Sequence, residues 1–227
     1  MSEKKVSIAI DGPAGAGKST IARLLAKETG FKYVDTGAIY RTVGYYMNLM
    51  GIGPRDVDGI TRLIDEVNLK ITYTPEGEQH MILNGKDVSG EIRTPEMGQI
   101  ASLISAQKVV RDFLLDMQRQ VARENNVIMD GRDIGTVVLP NADLKIFLTA
   151  SAEVRAARRM KDFEEKGIEE SYSKVLSEIQ QRDYQDMNRP IAPLKQAEDA
   201  VLLDTSDLDI PGVVDRIMGL MGQRGIL

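Results

Sequence analysis

Residues 12–20 read Gly12-Pro13-Ala14-Gly15-Ala16-Gly17-Lys18-Ser19-Thr20, a glycine, four residues, then Gly-Lys-Ser, the pattern of a phosphate-binding loop. The pattern works only between a strand and a helix, so it constrains the fold on both sides. Residues 6–10 before it form a short apolar run that reads as a buried strand. Residues 21–27 after it carry apolar side chains at helical spacing. A helix start has unpaired N–H groups and the positive end of the dipole, so it favours phosphate. Glycines let the backbone approach the anion closely. Lys18 is placed to reach the outer phosphates of a nucleoside triphosphate, and the Ser19 hydroxyl to meet Mg²⁺.

The rest of the composition narrows the chemistry. The chain has 227 residues, no cysteine, no tryptophan and one histidine, His80. Disulfides, thiolate catalysis, a histidine-based triad and a histidine-rich zinc site are therefore outside the expected range. What remains is Lys, Arg, Asp, Ser, Thr, backbone and a bound cation, an inventory that suits phosphoryl transfer. A net charge of −5 provides no general basic field for nucleic acid. No apolar run is long enough for a membrane span. Residues 1–5 lead straight into the first strand, so no leader is expected and the cytoplasm is the expected location.

Strand, helix, strand, helix over residues 6–50 implies a parallel sheet with crossover helices. Ligands in such sheets bind at the carboxyl ends of the strands. The second strand is expected at 31–35, with Thr36-Gly37 turning the chain and a helix over 38–50. Asp35, Thr36 and Arg41 then share the rim with the phosphate loop. A helix is expected over 56–68. Residues 69–74, 80–83 and 86–88 alternate around two turns, one of them Asn84-Gly85, a strong hairpin signal. This antiparallel meander does not belong in a parallel sheet, so residues 65–100 read as an insert. The core is then 1–64 and 101–227. His80 reads as an ordinary strand residue.

Thr94-Pro95 reads as a helix start, followed by a helix to about 106 and a second over 109–124. The second carries a core stripe at 110, 113, 114, 117 and 121. Residues 127–129 form a buried strand ending in Asp130-Gly131-Arg132-Asp133. An acidic residue there is either a metal-side carboxylate, which makes Asp130 a magnesium candidate beside Ser19, or a turn cap. Residues 144–148 form another strand, and Ser151 caps a helix carrying Arg155, Arg158 and Arg159. Those arginines form either a solvated face or a cover over a triphosphate, with a lid spanning about 153–170. A helix over 172–187 ends near Arg182, Asp186 and Arg189, whose spacing gives them one helical face. That face is an ion-pair ladder or an anion site. Residues 200–204 make a last strand and 210–222 a closing helix.

With these residues in hand, the sequence resembles the bacterial cytidylate kinases, a family of nucleoside monophosphate kinases, over nearly its whole length. The most diagnostic stretches are Asp35-Thr36-Gly37-Ala38-Ile39-Tyr40-Arg41, Asp87-Val88-Ser89-Gly90-Glu91-Ile92-Arg93, Asp130 through Val138, and Arg182-Asp183 through Asn188-Arg189. The resemblance implies a three-layer α/β/α phosphate-loop fold with a parallel central sheet. To this it adds a small antiparallel β/helical insert that binds the monophosphate, and a short helical lid. It implies transfer of the γ-phosphoryl group of ATP to CMP or dCMP, with Mg²⁺; a monomer is expected separately, because no long exposed apolar stripe is left unassigned. Thr36, Ser102, Asp133, Arg182 and Asp186 would contact cytosine or sugar. Arg41, Arg111, Arg132 and Arg189 would hold the acceptor phosphate or developing charge, and Arg158 and Arg159 would close on ATP. With Lys18, Arg132, Arg158, Arg159 and Arg189 form the implied catalytic set. The chain departs from the family in two places. Thr36 stands where serine is common and adds a methyl group to the base pocket. Lys18-Ser19-Thr20 stands where Lys-Gly-Thr is frequent, which leaves the metal hydroxyl open between Ser19 and Thr20.

Overall fold

A computed structural model describes residues 4–165 and 167–227. Five parallel strands form the central sheet: β1 (Ser7–Asp11), β2 (Lys32–Asp35), β6 (Val127–Gly131), β7 (Leu144–Thr149) and β8 (Val201–Asp204), in the spatial order β2-β6-β1-β7-β8. β1 is central because Ile8, Ala9 and Ile10 are fully buried on both faces. Alternation then divides the strands between two cores. Ile8, Ile10, Tyr33 and Ile128 join α1 (Lys18–Thr29) and α8 (Ile210–Gln223) on one face. Ala9, Val34, Val127 and Met129 join α2 (Thr36–Leu49), α3 (Val57–Leu63), α4 (Pro95–Ile104) and α5 (Lys108–Glu124) on the other. Helices α6 (Ala152–Glu165) and α7 (Tyr172–Asn188) pack on each other through Ala156, Val175 and Ile179.

Strands β3 (Leu69–Tyr73), β4 (Gln79–Leu83) and β5 (Lys86–Asp87) form the separate antiparallel sheet. Asn84 and Gly85 both take positive φ, as a tight hairpin turn requires. The small sheet docks on the edge strand β2. Tyr73 Oη donates to the Tyr33 carbonyl at 3.1 Å, and the Asp35 N–H donates to Gln79 Oε1 at 2.7 Å. His80 faces Asp87 within this hairpin at 2.5 Å, away from the main cleft.

Three expectations are corrected. Thr36-Gly37 is not a turn: α2 begins at Thr36, because Asp35 caps it by accepting the Ala38 N–H at 2.9 Å. The helix expected over 56–68 is only α3 plus a single 3₁₀ turn over Ile64–Glu66, with Asp56 as its cap. Arg189 lies outside α7 in extended backbone (φ −64°, ψ 141°), so the Arg182, Asp186, Arg189 face is not a helical one.

Candidate active site

A cleft of about 1350 Å³ runs along the carboxyl ends of the parallel strands, from the phosphate loop to the small sheet. Ala14 through Thr20 line its floor. Gly12 and Pro13 are not among the lining residues. Gly12 has φ +149°, and a Cβ there would stand 1.9 Å from the Leu148 carbonyl oxygen, so only glycine lets the loop leave β1 this close to β7. Gly17 is left-handed at the start of α1 (φ 91°).

Lys18 is buried, and its ammonium donates to the Pro13 carbonyl at 2.6 Å. Burial pulls its pKa well below the ordinary lysine value, and the nearby Arg132 adds to the effect. Ser19 Oγ donates to Asp130 Oδ2 at 2.7 Å, and Tyr33 Oη donates to Oδ1 at 3.1 Å. Burial raises the Asp130 pKa to about 6, with the charge of Asp35 contributing next. Asp130 lies inside β6, one residue short of the strand's end. Thr20 is exposed. A hydroxyl paired with a buried carboxylate offers oxygen donors of the kind that Mg²⁺ takes alongside water and phosphate. Among the described residues there is no cluster of three or more His, Asp or Glu side chains that could hold a metal ion.

The opposite wall is built on α5, β6 and α7. Asp133 is buried and pairs with both Arg111 and Arg189, the latter at 3.2 Å. Burial raises the Asp133 pKa while the Arg111 and Arg189 charges oppose it. Arg189 Nε also donates to the Ala192 carbonyl at 2.6 Å, and one of its terminal nitrogens reaches Ser105 Oγ at 3.3 Å. Arg132 Nε pairs with Asp186 at 2.9 Å, and Arg41 with Asp35 at 2.9 Å. The Arg182 and Arg41 Nε atoms are buried without a hydrogen-bond partner. Burial lowers the Arg182 pKa to about 10, and Arg132 lowers it next. Half-buried guanidinium groups with unsatisfied, buried Nε atoms, set beside other arginines, are costly, so this wall suits an anion supplied from outside.

Thr36, Arg41, Ser102, Arg111, Arg132, Asp133, Arg158, Arg182, Asp186 and Arg189 all line the cleft. Thr36 Oγ1 is spent on the Asp130 carbonyl at 2.7 Å. Arg158 docks on Thr205, donating to its carbonyl at 2.6 Å. Arg159 is not among the lining residues: it stacks over Phe163 and faces Glu178 at 3.7 Å. Four positioning groups were not legible as such. Tyr33 holds Asp130. Asp11 accepts the Ile134 and Gly135 N–H groups at 2.7 Å each, fixing the chain just after Asp133. Tyr40 lies under Arg111, 5.6 Å from ring centre to guanidinium. Arg155 is buried against Asp183. The sequence marks two of them without their roles, Tyr40 inside the Asp35–Arg41 stretch and Arg155 as one of three similar arginines.

Gly131 is required by close approach. A Cβ there would meet Ile134 Cδ1 at 2.6 Å and Thr36 Oγ1 at 2.8 Å. Gly131→Ala is expected to cost about 1–3 kcal/mol of stability by overpacking. Urea unfolding of the variant checks this, and an unchanged midpoint would contradict the crowding.

Fold and cleft together define a phosphate-loop phosphotransferase, with a donor floor and an arginine-rich acceptor wall. More particularly, the chain belongs to the cytidylate kinase family, whose family model, described as cytidylate kinase, matches residues 8–223. It is 48% identical over 217 residues to the cytidylate kinase of Caldicellulosiruptor saccharolyticus, covering 96% of each chain. It is equally identical over 217 residues to the cytidylate kinase of Carboxydothermus hydrogenoformans, covering 96% of this chain and 97% of that one. Among solved structures, an uncharacterized protein from Eubacterium ventriosum shares the fold at a TM-score of 0.54 and 11% identity, over 96% of this chain and 99% of that chain.

Proposed function

We propose that this protein transfers the γ-phosphoryl group of ATP to CMP, and also to dCMP, giving the nucleoside diphosphate and ADP. The observation that carries the reading is the acceptor wall. Asp133 is clamped by Arg111 and Arg189, while Arg182 stays unpaired in the same cleft as the phosphate loop.

The acceptor is a phosphate oxygen, already anionic at neutral pH, so no histidine or other general base is needed. The work of the site is to bring two anionic phosphates together. Lys18 and the loop N–H groups take the donor phosphates. Arg41, Arg111, Arg132 and Arg189 take the acceptor phosphate and its developing charge, Arg111 and Arg189 while also fixing Asp133, and Arg182 joins the base and sugar side of the wall. In this reading Asp133 and Asp186 accept hydrogen bonds from the cytosine amino group and the sugar, which selects the base by leaving its competitors' groups unmatched. Ser19, with Asp130 behind it, would hold Mg²⁺, which neutralises phosphate charge when bound. Arg158 stands at the donor end, where release from Thr205 would let it reach ATP, with Arg159 behind it on the lid. The segment 65–100 serves as the monophosphate-binding part. Its proposed end at 100 falls inside α4, whose Ser102 faces the cleft. A monomer acting in the cytoplasm completes the reading. Among the described residues, no helix is long and apolar enough to cross a membrane.

A coupled assay of ADP release across CMP, dCMP, UMP, AMP and GMP tests the proposal. CMP and dCMP are expected to be turned over much faster than the purines. Equal rates with every acceptor would remove the base-selective role of Asp133 and Asp186.

A further inference from the structure

Arg155 is an arginine in the first turns of α6 that does not line the cleft, yet it is 4% exposed. Its guanidinium makes a fork on Asp183, at 3.0 Å to Oδ1 and 2.5 Å to Oδ2. The same group donates to the Ala14 carbonyl at 3.0 Å and to the Ala150 carbonyl at 2.9 Å. One side chain thereby ties together the phosphate loop, the end of β7 and the middle of α7.

Each tie has a consequence. All peptide bonds described are trans, so holding the Ala14 carbonyl toward Arg155 turns the Gly15 N–H the opposite way. The Arg155 Cβ lies 3.4 Å from where a Gly15 side chain would begin, so the loop rests directly on the arginine stem. On the other side, Asp183 adjoins Arg182, whose Nε is unpaired, and precedes Asp186, the partner of Arg132, by one helical turn. The donor floor and the acceptor wall therefore share one ion pair, neither member of which lines the cleft.

We infer that Arg155 and Asp183 are positioning residues that transmit donor occupancy to the acceptor site. Because Arg155 is held by the phosphate loop and by Asp183 at once, a shift of the loop onto the donor phosphates is passed to Asp183 and so to Arg182, which sets the acceptor wall before the second ligand arrives. The inference rests on the proposed reading of ATP as donor and CMP as acceptor. Arg155→Lys keeps the charge but cannot reproduce the fork together with two carbonyl contacts. Asp183→Asn leaves the arginine on its two carbonyls and weakens only the tie to α7.

Calorimetric titration of CMP into the full chain, with and without a saturating non-hydrolysable ATP analogue and Mg²⁺, tests this. In the unaltered protein the analogue is expected to tighten CMP binding by about fivefold or more. In Arg155→Lys and in Asp183→Asn the ratio is expected to fall to near one, while CMP binding without the analogue changes by no more than about threefold, as it would for a lost linkage rather than a lost contact. Thermal melting shows which variant is folded, and either one suffices. A folded variant that keeps the full ratio, or an unaltered protein with no ratio to lose, would overturn the inference. Failure of the unaltered protein to bind CMP at all would instead overturn the functional reading on which it rests.

Discussion

Arg189→Ala is expected to lower kcat/KM for CMP by about 10³ or more, the scale of losing one arginine that stabilises phosphoryl transfer. Binding of ATP should change little. Arg189 sits at the wall remote from the phosphate loop, where it makes three separate commitments: to Asp133, Ser105 and the Ala192 carbonyl. Removing it leaves Asp133 buried with Arg111 as its one remaining clamp. Breaking a buried pair on one side leaves an uncompensated charge, which costs more than the pair itself was worth. Burial already pushes the Asp133 pKa up, and the Arg111 and Arg189 charges pull against it. In the variant Asp133 should therefore take up a proton more readily and lose its ability to accept from the base. The loss of activity should be steepest at the acid end of the pH profile and partly recovered toward higher pH. Steady-state kinetics across pH, with separate titration of an ATP analogue, checks both parts. Near-normal CMP turnover would make Arg189 a structural tie between the end of α7 and the chain that follows α4 and β6. An ATP affinity reduced as much as CMP turnover would mean that the two walls are not separable.

How much of this was legible in the residues depends on the range of each interaction. Most features decided within a few residues are legible. Gly30 ends α1 with φ 72°, Asn84-Gly85 makes the hairpin, and Thr94 caps α4 through the Met97 N–H. The start of α2 was misplaced because Thr36-Gly37 has turn composition, whereas the capping geometry assigns the non-helical role to Asp35. The failures at the site share another cause. Asp11 is separated from Ile134 and Gly135, and Tyr33 from Asp130, by about half the chain, and no local pattern marks such pairs. The resemblance supplied the lining residues because motifs keep residues that meet substrate. It was silent on what holds them. Arg155, Arg158 and Arg159 show the limit most clearly: three arginines in five residues end in three environments, one under the phosphate loop, one at the donor end of the cleft and one on the helix surface. Which neighbour each meets is set by α7 and β8, elements that follow them in the chain.

Lys18→Met is expected to reduce kcat by about 10³ or more, because a charge placed on the transferring phosphate is worth several kcal/mol in a water-poor site. Its effect on the stability of the unliganded protein should have the opposite sign. Lys18 is buried, its ammonium is held by a single carbonyl oxygen, and Arg132 and Arg182 add like charge. Its folded pKa is therefore depressed below the ordinary value of 10.5. Between those two values the unfolded chain binds more protons than the folded one, so this lysine's contribution to stability rises with pH. Below the folded pKa the full cost of burying the ammonium is present. Methionine is close in length and carries no charge, so the variant should be more stable than the original chain at neutral pH. The advantage should shrink as the pH climbs toward 10.5. Urea unfolding at several pH values, with activity measured on the same samples, reads both effects. A variant that is inactive and also less stable at neutral pH would show that Lys18 supports the loop rather than straining it. The expected result, activity lost while stability is gained, would mean that the loop holds its lysine at a cost that the donor phosphates relieve on binding.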